Sequence, residues 1–567
     1  MLKLRPYQSD LIEAARGAWR DVGNVLAVLP TGGGKTVIFS SEMLAHKGAC
    51  AAVVHRKEIV AQISLSLGRM GVKHRIVAPP QTVALIRKKH YAQLDKSYVD
   101  QSAPAGVVSV QTLTSRSAEK NPAIRAWVQQ VTLAVYDEGH HYVDAGKWSK
   151  SVHMFDKARK LFVTATPERA DKKGLGAHAS GFVERMVEGP TTRWLIDNGY
   201  LSPFRYYAPA SDLDVTGVAV TASGEFNAKA LRARVVDSHL VGDVVRHFGT
   251  YGENGQFIVF SSDVMTAEEI AAKFREHGRT CEALSGETEQ GVRDAELKKF
   301  EDAQTQGLTN VGLFDEGFDV PAVRVVIDAQ PTESLGKYLQ KIGRALRPEY
   351  APGYDLSTKE GRLAAIANGP KPYAIVIDPV RNWERHGLPD WPRVWSLDDR
   401  ASTRGNSEGT IPSRICTGCT QVYEAYLVAC PYCGHVETPP ERTEVTHVDG
   451  DLLALDVDAL AALFKQRDAA SMSADEFEQH LIQNNVPPIA RPRIIKKHEA
   501  AKYRREVLHN LVGWWFGAQP AERPQSEKYK RFYLRFGVDV VTAFTLDEKQ
   551  TDNLIEKITK GFHYDMA

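Results

Sequence analysis

Two short runs in the chain have residue types and an order suited to phosphate chemistry: Leu29-Pro30-Thr31-Gly32-Gly33-Gly34-Lys35-Thr36, and further on Tyr136-Asp137-Glu138-Gly139-His140. Consecutive glycines let backbone N–H groups wrap phosphate oxygens, and a helix beginning after them turns its positive end toward the anion. Lys35 then reaches the β and γ phosphates, and the Thr36 hydroxyl ligates magnesium. A strict cradle has glycine where this chain has Leu29. The second run supplies what the first lacks. Asp137 closes the apolar stretch Val131 to Tyr136 and can hold magnesium through water, while Glu138 can orient or deprotonate an attacking water. A glycine turn alone is commonplace, and an Asp-Glu pair alone is usually an exposed strand end. Together, each behind its own apolar run, they predict a nucleotide-hydrolysis site.

Such a site needs a rigid frame. From Asn24 to Thr164, short apolar runs (Asn24 to Leu29, Ala51 to His55, Val107 to Val110, Thr132 to Tyr136, Leu161 to Thr164) alternate with segments of helical period, the pattern of a parallel sheet covered by helices on both faces. A second series, Phe257 to Phe260, Val311 to Phe314, Val323 to Ile327 and Ala374 to Ile377, predicts a second α/β lobe. The stretch from Thr191 to Gly249 between them reads as a less regular connection. With 567 residues, the chain is too long for one core, and three or four domains are expected. Lys and Arg number 71 against 70 Asp and Glu, so no global basic field attracts nucleic acid and any such binding must come from local patches. No run is long and apolar enough for a membrane span, and the start lacks the apolar core of a secretory signal. A soluble, intracellular (cytoplasmic) protein with no membrane partner is the expectation.

Asp398 to Ser413 is polar and rich in Gly, Ser and Thr, and reads as a linker. Behind it, Cys416-x2-Cys419-x10-Cys430-x2-Cys433 sets two thiolate pairs on two knuckles. This is the spacing that folds around one tetrahedral zinc, with iron as the chemical alternative. All four positions are filled by thiolates, so the site is read as structural.

The order of motifs resembles superfamily 2 helicases and translocases of the DExH type from about Leu4 to Arg347, a family whose cradle reads PTGxGKT. Membership implies two tandem RecA-like parallel-sheet lobes with ATP in the cleft between them. The resemblance assigns Leu4-Arg5-Pro6-Tyr7-Gln8 to adenine recognition, with Gln8 reading the base edge and Arg5 or Tyr7 packing on the ring. It makes His140, with Thr164 and Thr166 of Val163-Thr164-Ala165-Thr166-Pro167, the coupling element between hydrolysis and the nucleic-acid surface. Gln340, Arg344 and Arg347, in Gln340-Lys341-Ile342-Gly343-Arg344-Ala345-Leu346-Arg347, match QxxGRxxR, whose arginines stabilise charge developing on the γ phosphate. Gly317 and Asp319 fall in Phe314-Asp315-Glu316-Gly317-Phe318-Asp319-Val320-Pro321, which resembles a nucleotide-sensing element of the second lobe. Arg56, Gln111, Thr112 and Ser261 are the nucleic-acid contacts it implies.

Within the superfamily, the RadD-like group near the XPB-like DNA helicases is the nearest likeness. That likeness rests on the N-terminal pentapeptide, on Gly199-Tyr200-Leu201-Ser202-Pro203, on Pro331-Thr332-Glu333-Ser334 and on the cysteine ribbon. It implies DNA (single-stranded, forked or duplex) as substrate, a role in repair or recombination, and single-strand-binding protein as a partner. Phage-encoded helicases share the layout. An RNA helicase of the same superfamily, or a translocating subunit of a nuclease or restriction assembly, stays open at this stage.

The domain reading is lobe one at 1–195, a connecting segment at 196–248, lobe two at 249–390, a linker at 391–410, a zinc ribbon at 411–440 and a helical domain at 450–567. In that last domain Leu452, Leu453, Leu455, Leu460 and Leu463 suggest an amphipathic helix, and Pro487, Pro488 and Pro492 interrupt the helical series. From Arg491 to Arg535 it interleaves basic residues with Tyr503, Trp514, Trp515, Tyr529, Phe532 and Tyr533. That composition suits unpaired nucleic acid, or equally a helical domain with an aromatic core and a basic face.

Overall fold

The computed structural model describes residues 4–399, 413–436, 474–519 and 525–562, apart from 145, 170, 172, 210, 222–224, 315–322, 426, 484–485, 489–490, 518, 544–545 and 547. The described residues up to 399 and from 413 to 435 form one compact unit, and the described residues from 436 onward a second.

In the first unit, lobe one is a seven-stranded sheet: β1 (Asn24–Val28), β2 (Ala49–Val54), β3 (Arg75–Val77), β4 (Ala105–Ser109), β5 (Val131–Asp137), β6 (Arg159–Thr164) and β7 (Arg185–Glu188). Their order is β3-β4-β2-β5-β6-β1-β7 and every pairing is parallel. The inner strands are buried on both faces, as at Val25, Leu26, Val53, Val54, Val135 and Val163, which is why they read as unbroken apolar runs. Each such side chain contributes about 1.5–3 kcal/mol on leaving water. This order sets β5, β6 and β1 side by side. Their carboxyl ends therefore bring the acidic pair, Thr164 and the glycine run to one rim, where open parallel sheets bind ligands.

Lobe two is a six-stranded sheet of β8 (Phe204–Tyr207), β9 (Phe257–Phe260), β10 (Cys281–Leu284), β11 (Gly307–Asn310), β12 (Val325–Asp328) and β13 (Ala374–Ile377), ordered β10-β11-β9-β12-β13-β8 and again all parallel. Two sequence expectations change here. The expected strand Val311 to Phe314 lies four residues too late, because the strand ends in Thr309 and Asn310, polar but fully buried. Their side chains bond inward, the Thr309 hydroxyl donating to the Ala267 carbonyl (2.8 Å) and the Asn310 amide to the Val259 carbonyl (3.0 Å). The connecting segment 196–248 is more regular than expected, since it contributes edge strand β8 to the second sheet and the helices Ala228–Val236 and Leu240–Tyr251.

The chain crosses between lobes at Gly199, whose φ of +69° and neighbours suit glycine alone: a Cβ there would lie 2.8 Å from that of Arg362. Of the segment read as a linker, the described part 391–399 is ordered against lobe one. Leu397 accepts from the N–H groups of Leu175 (3.0 Å) and Gly176 (2.9 Å), and Asp399 accepts from that of Gly174 (2.7 Å). Trp395 and Leu397 pack against the lobe-one core, while Arg393 holds the carbonyls of His386 and Leu388 in lobe two. Trp395 and Leu397 thus make this segment a strap that ties the lobes a second time.

The cysteine segment is a two-stranded antiparallel ribbon, β14 (Ser413–Ile415) and β15 (Val422–Glu424). It is joined to β8 through a Tyr207–Gln421 bridge and a bond from the Ala208 N–H to the Thr420 carbonyl (3.2 Å). The second unit is helical, with Leu508, Val512, Trp515, Phe532, Phe536, Leu554 and Ile558 in its core. Pro492 is the second residue of the helix Arg491–Gly517, where its missing N–H costs nothing. The helix expected around Leu452 to Leu463 lies outside the described residues. Among the described residues no helix is long and apolar enough to cross a membrane.

Candidate active site between the lobes

The glycine run turns sharply between β1 and the helix Lys35–Ala45. Gly32 and Gly34 have φ of +84° and +90°, a backbone that L side chains resist. A Cβ on Gly34 would stand 2.4 Å from the Gln8 amide nitrogen. Gln8 and Tyr7 hold the turn from outside: the Gln8 Nε2 (3.1 Å) and the Tyr7 hydroxyl (2.8 Å) both donate to the Gly33 carbonyl. Gln8 Oε1 accepts from the Arg5 N–H (3.0 Å), and the Arg5 guanidinium lies 5.0 Å over the Tyr200 ring. The expected adenine element is therefore anchored directly to the phosphate turn.

Glu138 follows β5 in the left-handed region at φ +50°, a conformation that costs a non-glycine residue about 1–3 kcal/mol. Its carboxylate is 5% exposed, 3.5 Å from His140 Nδ1, and Oε2 has no hydrogen-bond partner. His140 Nδ1 is in turn 2.9 Å from Thr164 Oγ1, which donates to the Thr166 carbonyl (3.0 Å). A Cβ on Gly336, in the helix Leu335–Gly343 of lobe two, would lie 3.0 Å from Thr166 Oγ1. A polar path thus runs from Glu138 to Thr166, which stands against the Gly336 backbone of the other lobe.

That helix carries Gln340, buried with Oε1 unpartnered, and leads into Arg344. Arg344 is 5% exposed and its Nε donates to the Phe314 carbonyl (3.2 Å). The two lobes meet at the turn: a Cβ on Gly343 would be 2.5 Å from Thr31 Cβ, and one on Gly32 would be 3.9 Å from Arg347 Cγ. Burial lowers the Lys35 ammonium below the usual lysine value, opposed by Glu138 and Asp137 and reinforced by Arg344 and Arg347. Charges from both lobes therefore converge on one pocket. The buried unpartnered oxygens of Thr31, Glu138, Thr166 and Gln340, with two glycines that admit no side chain, fit a nucleotide with its metal ion.

Lys341, between the motif residues, was not singled out from sequence. It is fully buried and forms an ion pair with Asp328 at the end of β12, its Nζ also reaching the Gln330 carbonyl (3.2 Å), while the Asn382 amide donates to the other Asp328 oxygen (2.8 Å). The pair fastens the arginine-bearing helix to its sheet. Lys341→Met should destabilise lobe two by about 3–5 kcal/mol, because Asp328 is left charged and buried. Lys341→Met with Asp328→Leu should recover most of that loss, measured by chemical denaturation. Equal stability of the single variant and the parent would remove the positioning role.

Of the residues named for nucleic-acid contact, Arg56 and Gln111 follow the carboxyl ends of the paired strands β2 and β4. Arg56 Nη1 donates across to the Gly312 carbonyl of lobe two (3.1 Å), and the Gln111 amide donates to the His55 carbonyl (2.6 Å). Thr112 is half-buried, and Ser261 is 1% exposed. Gly317 and Asp319 lie outside the described residues.

In the ribbon, Cys416 Sγ and Cys433 Sγ are 3.6 Å apart, as are those of Cys419 and Cys430, and all four sulfurs lie within 4.8 Å of one another. A tetrahedron with metal–sulfur bonds of about 2.3 Å has edges of about 3.8 Å, whereas a disulfide is about 2.05 Å. The two knuckles match: Thr420 donates its N–H to the Cys416 carbonyl (2.8 Å) and Gly434 to that of Cys430 (2.9 Å). Both turn residues have positive φ, +58° at Thr420 and +74° at Gly434.

Residues 1–169 match the family model described as "Type III restriction enzyme, res subunit", and residues 239–349 match "Helicase conserved C-terminal domain". A "51.5 kDa protein" of Lactococcus phage (isolate 7-9) is 26% identical over 75% of this chain and 80% of its own length. IRC3 of Saccharomyces cerevisiae is 27% identical over 61% of the chain, which spans only 49% of that relative. "DNA 3'-5' translocase XPB2" of Sulfurisphaera tokodaii is 23% identical over 61% of the chain and 79% of its own length. The chain therefore carries helicase superfamily 2 domains, those of an ATP-hydrolysing helicase.

Proposed function

We propose that the protein is an ATP-driven DNA helicase or translocase. The convergence of Lys35, Arg344 and Arg347 on one cleft carries the motor reading, since ATP held by both lobes draws them together and product release lets them part. The choice of DNA is supported by the relative named as a DNA translocase. Thr36 and Asp137 would hold magnesium, which supplies charge neutralisation at the phosphates. Lys35 binds phosphate, Glu138 positions water and accepts its proton, and the path through His140, Thr164 and Thr166 transmits the change to lobe two. A role in repair or recombination follows from the resemblance to the RadD-like group. The deciding experiment is ATP turnover with single-stranded DNA, forked DNA, duplex and RNA of equal sequence. Stimulation by DNA above RNA supports the reading. Equal or greater stimulation by RNA, which differs by its 2′-hydroxyl, replaces it with an RNA helicase.

The ribbon cysteines would hold zinc in a purely structural role. Metal analysis of protein purified without chelator should find about one zinc per chain, and Cys430→Ser should lose it. The ribbon contacts β8, so metal removal should also loosen that edge, read as faster amide exchange at Tyr207 and Ala208. Protein without metal, or holding iron, would overturn the zinc assignment.

A further inference from the structure

The C-terminal unit, taken by itself, carries a basic and aromatic surface. Its longest helix, Arg491–Gly517, has seven basic residues against two acidic. On one side of it Arg504 pairs with Glu548 and, at 2.9 Å, with Asp552 of the helix Glu548–Phe562. Lys502, Arg505, His509 and Phe516, spaced by three, four and seven, share another stripe of the helix. The first three are exposed and Phe516 is half-buried. At its far end the stripe meets the helix Gln525–Phe536: the Tyr529 ring is 4.9 Å from that of Phe516, and Tyr533 stands one turn further on. Tyr529 and Tyr533 are 45% and 48% exposed, although Trp515 and Phe532 beside them provide the buried aromatic core.

Tyr529 and Tyr533 leave about half of their surface exposed at the far end of a stripe that begins with Lys502 and Arg505. We infer that this stripe binds an unpaired nucleic-acid strand, with Lys502 and Arg505 against phosphates and Tyr529 and Tyr533 stacked on bases. Duplex fits less well, because its base faces are hidden in the stack. From Lys502 to Phe516 the stripe runs roughly 21 Å at 1.5 Å per residue, room for about six nucleotides at about 3.4 Å each. The unit would give the motor a second grip on the separated strand. This role does not depend on the motor reading, since the site should bind without ATP.

The test uses the full-length chain and a 5-iodouracil-substituted oligothymidylate of twenty nucleotides, without ATP, with photocrosslinked peptides mapped by mass spectrometry. Crosslinks at Tyr529 or Tyr533 are expected, and should persist in Lys35→Ala. Tyr529→Ala with Tyr533→Ala should weaken binding by about 5- to 150-fold per lost stack, while Tyr529→Phe with Tyr533→Phe retains it. Lys502→Glu with Arg505→Glu should lower the salt slope by about two. Basal ATP hydrolysis should not change in the tyrosine variants or in Lys502→Glu with Arg505→Glu. Crosslinks confined to residues 1–390, or parent-like affinity in the alanine pair, would overturn the inference. So would retention on anionic phosphatidylserine vesicles with no affinity for the oligonucleotide.

Discussion

Arg344→Ala is expected to leave ATP binding nearly intact and slow hydrolysis by about 10³- to 10⁵-fold, the range for removing an arginine that neutralises a transferring phosphoryl group. The large effect on rate and small effect on binding have one cause. Charge on the γ phosphate grows on the way to the transition state, so a cation placed there gains most when bonds are breaking. Arg344 is suited to this by being held: its Nε is fixed to the Phe314 carbonyl, it is buried, and its helix is pinned by the Lys341–Asp328 pair. Arg344→Lys should recover little, because an ammonium lacks the planar fork. Single-turnover phosphate release, beside a fluorescent-nucleotide binding titration, separates the two quantities. A parallel loss of both would make Arg344 a ground-state binding residue instead.

Lys35→Ala and Glu138→Gln should each lower turnover by at least about 10²- to 10³-fold, by different routes. Lys35 is the cation nearest the glycine turn, and its removal should weaken nucleotide binding as well as rate. Glu138 should affect rate alone, since Gln keeps the size and shape of the side chain but is uncharged and cannot take a proton. Glu138 sits on a strained backbone, and its buried Oε2 faces His140 at 3.5 Å without a hydrogen bond, a local cost in stability of the kind that gathers at functional sites. The glutamine variant should therefore fold at least as well as the parent while failing to turn over. DNA-stimulated hydrolysis retained in either variant would move the chemistry away from this rim.

The motifs were readable because their chemistry is local. A glycine run, an acidic pair after an apolar strand and two closely spaced cysteine pairs each announce a function through adjacent residues. The two-lobe α/β architecture was readable too, because strands buried on both faces must be continuously apolar. Less was legible where burial and polarity coincide: Thr309 and Asn310 close β11 inside the core, and β8 carries Tyr206 beside a buried Asp378 to which its hydroxyl donates at 2.7 Å.

What the residues determined by themselves is therefore the inventory: which groups can cradle phosphate, take a proton, bind metal or span a sheet. Tertiary structure alone decided who meets whom. The order β5-β6-β1 carries Glu138, Thr164 and the glycine turn to a common rim, and the crossing at Gly199 brings Arg344 and Arg347 to it from the second lobe. Lys341 was given its partner Asp328, and residues 391–399 were laid on lobe one rather than left as a tether. Such pairings join positions far apart in the chain, and they are set by the packing of whole sheets and helices, which no short window of residues encodes.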